Sequence, residues 1–278
     1  MNENNLPALG VGLGFREQFC GELFLKREGV DFLEIIADHY MDHTPEKLRE
    51  LDLLMEHFTL APHAINLSLG SAEGIDEDYL ERLARLIERV NPPWWSEHIC
   101  FTKAGGIEIG HLTPLPYTHE AVDTLVKNIE KVKKKISTPL ILENITYMLK
   151  IPCEEMNEAD FISEVVERAD CGILLDVTNL YINSVNHNYD WREFLDRLPI
   201  ERVVQLHFVG GHKHKEVLID SHSSQTPNEI FCVMEEVLER APVKGAILER
   251  DENLPPFDDL LEELSYARRL GRKYERWD

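Results

Sequence analysis

Cysteine is scarce in this chain and forms no pattern. Its five cysteines (Cys20, Cys100, Cys153, Cys171 and Cys232) are odd in number, widely spaced and never arranged as CxxC. That argues against a disulfide framework and a thiolate zinc site, and suits a reducing compartment. Cys100 and Cys171 sit beside or inside apolar runs and are expected to be small core residues. Basic charge is short as well: 29 Lys and Arg stand against 51 Asp and Glu, a formal net charge of −22. Lysine and arginine contacts supply most non-specific affinity for a phosphate backbone, so this surface repels nucleic acid and anionic membranes at long range. Neither is expected as a partner. No apolar run reaches the roughly 18 residues of a membrane span. The opening MNENNLPALG lacks a positive segment followed by an apolar one, so no secretory signal is expected and the expected location is cytoplasmic. The catalytic motifs GxSxG, HExxH and the P-loop are missing too. GVGLGFR carries Gly10, Gly12 and Gly14, but the spacing does not fit the GxGxxG of a dinucleotide site.

What the chain does have is alternation. Apolar, often β-branched runs fall at 8–13, 31–36, 59–65, 94–101, 139–142, 172–177, 203–208 and 245–248. Between most of them lie segments of helical period, such as DEDYLERLARLIERV, where Leu80, Leu83, Ile87 and Val90 recur at three- and four-residue steps. Thr44-Pro45 and Thr226-Pro227 read as helix starts. No Ser/Gly linker, repeat or low-complexity stretch divides the chain. Eight strand–helix units over 278 residues predict an α/β protein, a single (β/α)₈ barrel domain over 1–278, with an open doubly wound sheet as the alternative. Trp94 and Trp95 are expected to be packing residues, Gly70-Ser71 a turn, and KVKKK at 131–135 a solvated helix end.

The ionisable residues fall at the ends of these runs. The segment VVQLHFVGGHKHKEVLIDSH holds His207, His212, His214 and His222 with Glu216 and Asp220. The other runs end on or near Arg16, Asp38 and His39, His63, Glu97 and His98, Glu143 and Asn144, Asp176 and Asn179, and Glu249. In a (β/α)₈ barrel the C-terminal ends of all strands share one face, where active sites lie. A carboxylate directly after LIL, GILL or AIL must be paired, protonated or metal-bound if it stays near the core. Glu143, Asp176 and Glu249 crowded together call for cations, and His63, His98, His207 and His222 complete a cage. That inventory exceeds one tetrahedral site, so two or three ions, some bridged by a carboxylate, are expected. An oxygen and nitrogen donor set suits Fe, Mn or Zn and disfavours iron–sulfur clusters and Cu(I). Taken alone, Glu97 and His39 are better explained as ordinary polar strand ends.

The motifs GVGLGFR (10–16), HAINLSLGS (63–71), SEHICF (96–101), HLTPLPYT (111–118), LENITY (142–147), LLDVTNLYINSVNH (174–187), QLHFVGGH (205–212), IDSH (219–222) and LERD (248–251) run in order through most of the chain. As a set they resemble a family long catalogued only as a domain of unknown function, now called the multinuclear non-heme iron-dependent oxidative enzymes. The resemblance implies a xylose-isomerase-like barrel holding two or three iron ions (Fe²⁺/Fe³⁺) at its mouth. Metal ligands would be His63, His98, Glu143, Asp176, His207, Asp220, His222 and Glu249, with Glu143 as a bridge and Asn179 beside the third metal. Glu143, Asp176 and His207 are the residues expected to act in catalysis. The implied activity uses O₂ as co-substrate to oxidise a cysteine-containing, ribosomally made peptide, often with a small partner protein that presents it. The chain departs from the family pattern at DHY (38–40), at Asn66 and in the extra residue of HFVGGH, all on the substrate side. Two other classes compete: an Mn- or Zn-dependent sugar isomerase or phosphodiesterase on the same barrel, and a non-catalytic metal-binding scaffold.

Overall fold

The computed structural model describes residues 6–41 and 44–278. Residues 1–5, which carry half of the N-terminal signal reading, lie outside the described residues. The strands are β1 (Gly10–Gly14), β2 (Phe32–Ile36), β3 (Thr59–His63), β4 (Trp95–His98), β5 (Phe101–Ala104), β6 (Ile107–Thr113), β7 (Leu140–Glu143), β8 (Gly172–Asp176), β9 (Val203–Phe208), β10 (Gly210–His214), β11 (Val217–Ser224) and β12 (Gly245–Leu248). The helices are α1 (Cys20–Leu25), α2 (Asp38–Met41), α3 (Pro45–His57), α4 (Glu77–Val90), α5 (His119–Lys135), α6 (Glu158–Ala169), α7 (Val177–His187), α8 (Trp191–Arg197), α9 (Asn228–Arg240) and α10 (Phe257–Lys273). Eight strands close a parallel barrel in the order β1-β12-β9-β8-β7-β4-β3-β2. Each of them coincides with one of the eight apolar runs in the sequence, so the barrel prevails over the open sheet. No described helix is long and apolar enough to cross a membrane.

Local chemistry sets the helix ends. Thr44 caps α3, accepting from the Lys47 backbone N–H with Pro45 in the first turn. Asp76 caps α4 in the same way through Asp78 and Tyr79. The Thr226-Pro227 start differs in detail. The helix does begin there, but Pro227 occupies the cap position while the Thr226 N–H is taken by Glu263 Oε2 at 2.8 Å. The basic run at 131–135 is not simply solvated: Lys131 pairs with Glu77, Lys135 with Glu81, and Lys133 Nζ donates to the carbonyls of Ala169 and Asp170.

Two hairpins interrupt the alternation, and the sequence did not announce them. After β4 comes the β5–β6 pair, closed by Gly105 and Gly106 at positive φ, as a tight two-residue hairpin turn requires. After β9 comes the β10–β11 pair, held to α7 by the Asn186 side chain, which exchanges two hydrogen bonds with the Leu218 backbone.

Two apolar layers hold the barrel. Outside it, the helices press on the outward strand positions in one large cluster. Inside, smaller clusters fill the lower barrel: Phe32, Ala61 and Ile247 in one, Trp94, Ile141, Leu174 and Val204 in the other, with Leu9 packed on both. This interior leaves no room at Gly12, where a Cβ would press on the Phe32 carbonyl and stand 2.8 Å from both Ile247 Cδ1 and Phe32 Cδ1. Gly12→Ala is therefore expected to lower stability by about 1–3 kcal/mol, the usual cost of overpacking, read as a lower denaturant midpoint at unchanged slope. An unchanged midpoint would show that the lower barrel is loosely filled.

Candidate metal centre

Side chains alternate across a strand, so a residue two places after an inward apolar one also points inward, one step nearer the mouth. Applied to the lower barrel, that step has a consistent result. Phe32 leads to Glu34, Ala61 to His63, Trp94 to Ser96, Ile141 to Glu143, Leu174 to Asp176 and Ile247 to Glu249. The barrel interior thus changes from apolar to ionisable within one rung. The next inward positions add His98 after Ser96 and His207 after Gln205. Parallel register sets His98 beside Glu143 and Asp176 beside His207. All six strand-end residues are buried, from 0% exposure for Asp176 and His207 to 9% for Glu249.

Glu143 lies between two groups of donors. Its Oε2 is 3.5 Å from His63 Nε2 and 3.4 Å from His98 Nε2. Its Oε1 is 3.4 Å from His207 Nδ1, which is itself 3.1 Å from Glu249 Oε2. Further out, His222 Nδ1 approaches Glu249 Oε2 at 3.6 Å and Asp251 Oδ2 at 3.2 Å, while its Nε2 is 2.9 Å from Asp220 Oδ1. Three groups of residues could hold a metal ion, with donor atoms within 4.8 Å of one another: His63, His98 and Glu143; Glu143, Asp176, His207 and Glu249; and His222, Glu249 and Asp251. Glu143 belongs to the first two and Glu249 to the last two.

The pattern of unsatisfied atoms fits a bound cation. Buried polar atoms almost always have a hydrogen-bond partner. Among the described residues eight buried side-chain atoms have no partner in hydrogen-bond geometry, and five of them are Glu143 Oε2, Asp176 Oδ2, Asn179 Oδ1, His207 Nδ1 and Asp220 Oδ1. The close approaches of the last two to Glu249 and His222 are misaligned. In several of these residues the other polar atom is occupied. Asp176 Oδ1 caps α7, accepting from Thr178 and Asn179 at 2.7 and 2.9 Å, and Asn179 Nδ2 donates to the Asn144 carbonyl at 3.1 Å. The imidazoles follow the same rule. His63 Nδ1 meets Ser96 Oγ at 2.7 Å, His98 Nδ1 is 3.3 Å from Glu97 Oε1, and His207 Nε2 meets Glu34 at 2.9 Å. One ring nitrogen of each is held from behind while the other faces Glu143, the arrangement by which proteins orient metal-binding histidines.

Charge in the pocket is unbalanced. Burial disfavours charge on every group, yet His207, His98 and His63 hold the Glu143 carboxyl below the ordinary range, and His222, His207 and His63 hold Glu249 well below it. Asp176 goes the other way: burial first, then Glu143 and Asp220, push it well above the carboxylate range. Burial opposes the charge on His98, but Glu143 and Glu97 outweigh it and raise the ring to about 9. Burial also raises Glu97, so Asp176 and Glu97 are the carboxyls whose charged form this pocket disfavours.

Two contributors escape the strand-end rule because they sit mid-strand. Trp94 Nε1 donates to Gln205 Oε1 at 2.7 Å, Gln205 Nε2 donates to Glu34 Oε2 at 2.6 Å, and Glu34 reaches His207. This column fixes His207 from the floor of the barrel, and all four side chains are buried. A carboxylate inside FLEII and an amide inside VVQLHF were the available signals. Glu97 is more than a polar strand end: it is fully buried, accepts from Leu67 N at 3.0 Å and His98 N at 2.7 Å, and backs the His98 ring. His39 is exposed on α2 and joins none of the three groups, while Arg16 pairs with Asp251 beside His222. Asp38 receives Tyr79 OH, Asn66 Nδ2 and Ile65 N. His212 and His214 are exposed on β10 and join none of them. Cys100 and Cys171 are buried, and Trp94 and Trp95 pack fully inside.

Fold and site together define a (β/α)₈ barrel whose mouth collects buried histidines and carboxylates in adjoining groups. Comparison with known proteins narrows that class. The sequence profile of the family described as RiPP precursor modification enzyme MbnB/TglH/ChrH matches residues 10–272, and the chain belongs to that family. A UPF0276 protein of Caulobacter vibrioides is 37% identical over 263 residues, 94% of each chain. Among solved structures, a D-psicose 3-epimerase crystallised in the presence of D-fructose superposes with a TM-score of 0.62 at 11% identity, covering 96% of this chain and all of the other. A xylose isomerase domain protein from Planctomyces limnophilus gives 0.59 at 15% identity, covering 98% of this chain and all of the other. These two likenesses establish the xylose-isomerase-like barrel.

Two outcomes are expected. Glu34→Ala should weaken metal binding by about 10–100-fold, the usual range for loss of a residue behind a metal-bound histidine, as read by competition with a chelator. Unchanged affinity would show that Glu34 does not orient His207. The second concerns pH. With its folded pKa raised, Asp176 keeps a proton that the unfolded chain releases in the ordinary carboxylate range, so metal-free stability from this group falls as pH climbs past that range. Denaturation of metal-free protein between about pH 4.5 and 6, below the ordinary histidine range, should show this fall flattened in Asp176→Asn. An equally steep fall would assign it to other groups.

Proposed function

We propose that this chain is a multinuclear, iron-dependent oxidase that uses O₂ to modify a cysteine-containing, ribosomally made peptide. The observation that carries the reading is the position of Glu143, whose two oxygens face separate groups of buried donors. One carboxylate shared in this way suits a bridge between two ions. His63 and His98 would hold the first with Glu143, and Asp176, His207 and Glu249 the second. Asn179, Asp220 and His222 would surround a third, near the second group, with Asp251 as a further donor. Iron held by these residues would supply one-electron redox chemistry for the oxidation of a thiol by O₂.

The protein's own contribution is placement and exclusion. Ser96, Glu97 and Glu34 hold the rings of His63, His98 and His207. The apolar lower barrel closes the floor beneath them, and the β10–β11 hairpin brings Asp220 and His222 to the outer side. Family membership supports a peptide precursor as substrate, and a small presenting partner is part of the same reading. The surplus of acid argues against nucleic acid. A sugar isomerase or epimerase using Mn or Zn draws only on the likeness of fold, and fold does not carry function. A scaffold role would not call for so varied a donor set.

The test is metal analysis of protein purified without added metal, followed by anaerobic loading with Fe(II) and exposure to O₂ with a candidate cysteine-containing precursor. Iron should be the dominant metal, and O₂ uptake should require the peptide. Glu143→Gln should lower turnover by at least about 100-fold with the fold intact by circular dichroism, as expected when a group that orders the reacting centre is lost. Zinc alone in the isolated protein, or no peptide-dependent O₂ uptake with a confirmed precursor, would sink the oxidase in favour of the epimerase-like class.

A further inference from the structure

Outside the metal centre, a cavity of about 300 Å³ opens between α6, α8 and the loop that follows β7. Its walls include the rings of Tyr117, Tyr147, Tyr189 and Phe194, and the Glu158 carboxyl is buried within it. Tyr147 OH donates to Glu158 Oε2 at 3.0 Å, and the Tyr147 ring stacks on His187 with centroids 4.4 Å apart. The Tyr189 hydroxyl is buried beside Glu158 without a well-aligned hydrogen bond. Tyr147 is also fixed through its backbone: its N–H donates to Asn183 Oδ1 at 3.2 Å, and its carbonyl lies 2.8 Å from His187 Nε2.

A buried carboxyl among tyrosine hydroxyls and aromatic side chains offers an ammonium or guanidinium group both charge and hydrogen-bond acceptors. The rim has the same sign. Glu154, Asp190 and Glu193 stand against Lys150 and Arg197, and Arg197 Nη1 is turned to Asp160 at 3.3 Å. Burial, opposed by Tyr147, Lys150 and Tyr189 and reinforced by Glu154, raises the Glu158 carboxyl to about 8, so a cation arriving there near neutral pH displaces a proton from it. The location matters too. Tyr147 follows Glu143 by four residues, at most about 14 Å of extended chain, so cavity and metal centre lie within reach of one short peptide. Met148 and Leu149 come next, 59% and 78% exposed, an apolar strip beside the cavity mouth.

We infer that this cavity binds a lysine or arginine side chain of the peptide substrate, anchoring the peptide while another of its residues reaches the metal centre. The inference rests on the peptide-modifying reading above and adds what that reading lacks, a basic residue near the modified position. Lys150 is the built-in competitor for Glu158.

The experiment uses the full chain and three probes, N-acetyl-arginine amide, N-acetyl-lysine amide and N-acetyl-norleucine amide, followed by ligand-observed NMR titration. A cationic probe should bind at least tenfold more tightly than the norleucine probe. Glu158→Gln should weaken the cationic probe at least tenfold. Tyr147→Phe, which keeps the ring and removes the hydroxyl, should weaken it less. Lys150→Ala should leave binding unchanged or tighter, and Glu143→Gln should not alter it. Thermal melts matched to the parent show that the variants are folded. Absent binding, equal binding of norleucine, or indifference to both Glu158→Gln and Tyr147→Phe would overturn the proposal. Because the readout needs no turnover and survives Glu143→Gln, failure here leaves the oxidase standing, and a failed oxidase assay leaves a binding cavity standing.

Discussion

The mouth of this barrel crowds buried carboxyl groups that can all be ionised together only if protons or cations balance them. Glu143, Asp176 and Glu249 are inside the protein, with Glu34 and Glu97 directly behind the histidines that face them. Removing carboxylates from water costs several kcal/mol each unless paired. Imidazoles offset part of this: they hold Glu143 and Glu249 below the ordinary carboxylate range, while burial and neighbouring carboxylates push Asp176 above it. The residual demand for cations is local and strong, and it coincides with the atoms that lack hydrogen bonds. Electrostatics and hydrogen-bond accounting thus lead to the same few atoms independently.

The fold creates that demand through one geometric rule. Eight parallel strands of similar length finish at similar heights, so a given step along each strand corresponds to a common layer inside the barrel. Here the lower layer is Phe, Ala, Trp, Ile and Leu, and the layer above it is almost entirely ionisable. The lower layer supplies rigidity as well as burial. Trp94 belongs to it, and through Gln205 and Glu34 its indole N–H fixes the orientation of His207. The ring of His207 is thereby tied through its Nε2 to the barrel floor by hydrogen bonds alone, leaving Nδ1 toward Glu143.

Much of this was legible in the sequence because two signals reinforce each other there. An apolar run marks a buried strand, and a carboxylate or imidazole at its end marks the mouth, so His63, His98, Glu143, Asp176, His207 and Glu249 could be collected without coordinates. Glu34 and Gln205 were missed for a physical reason. They lie inside their runs, and whether position 34 faces the barrel axis or the helices depends on register, which composition does not reveal. Glu97 misled in the opposite sense: it alternates with Ser96 and His98, yet its carboxylate turns back to the Leu67 and His98 N–H groups. The hairpins were missed because their strands stay mostly exposed or half-buried and mix apolar with polar residues, as IEIGHLT in β6 and VLIDSHSS in β11 illustrate. His39 and the exposed histidines of β10 stay outside the three groups, as expected of polar strand ends and solvated loop residues: ligand type counts only where a buried strand carries it inward.

Burial also orders the three donor groups relative to one another. The His63, His98 and Glu143 group and the Glu143, Asp176, His207 and Glu249 group lie under the barrel rim and are closed to solvent. The third group is different: its His222 side chain is 17% exposed and its Asp251 38%, and Asp251 is already engaged by Arg16. Coulombic attraction is weaker where water can screen it, and a cation already in place lowers the gain from another. The inner two groups therefore provide the fixed part of the centre, shaped by strands and backed by Ser96, Glu97 and Glu34. The outer group hangs on the β10–β11 hairpin and on the loop after β12, and it is the most solvent-accessible of the three. For the peptide substrate proposed above, the acid surplus of the chain and the carboxyl in the Glu158 cavity both favour a partner carrying positive charge.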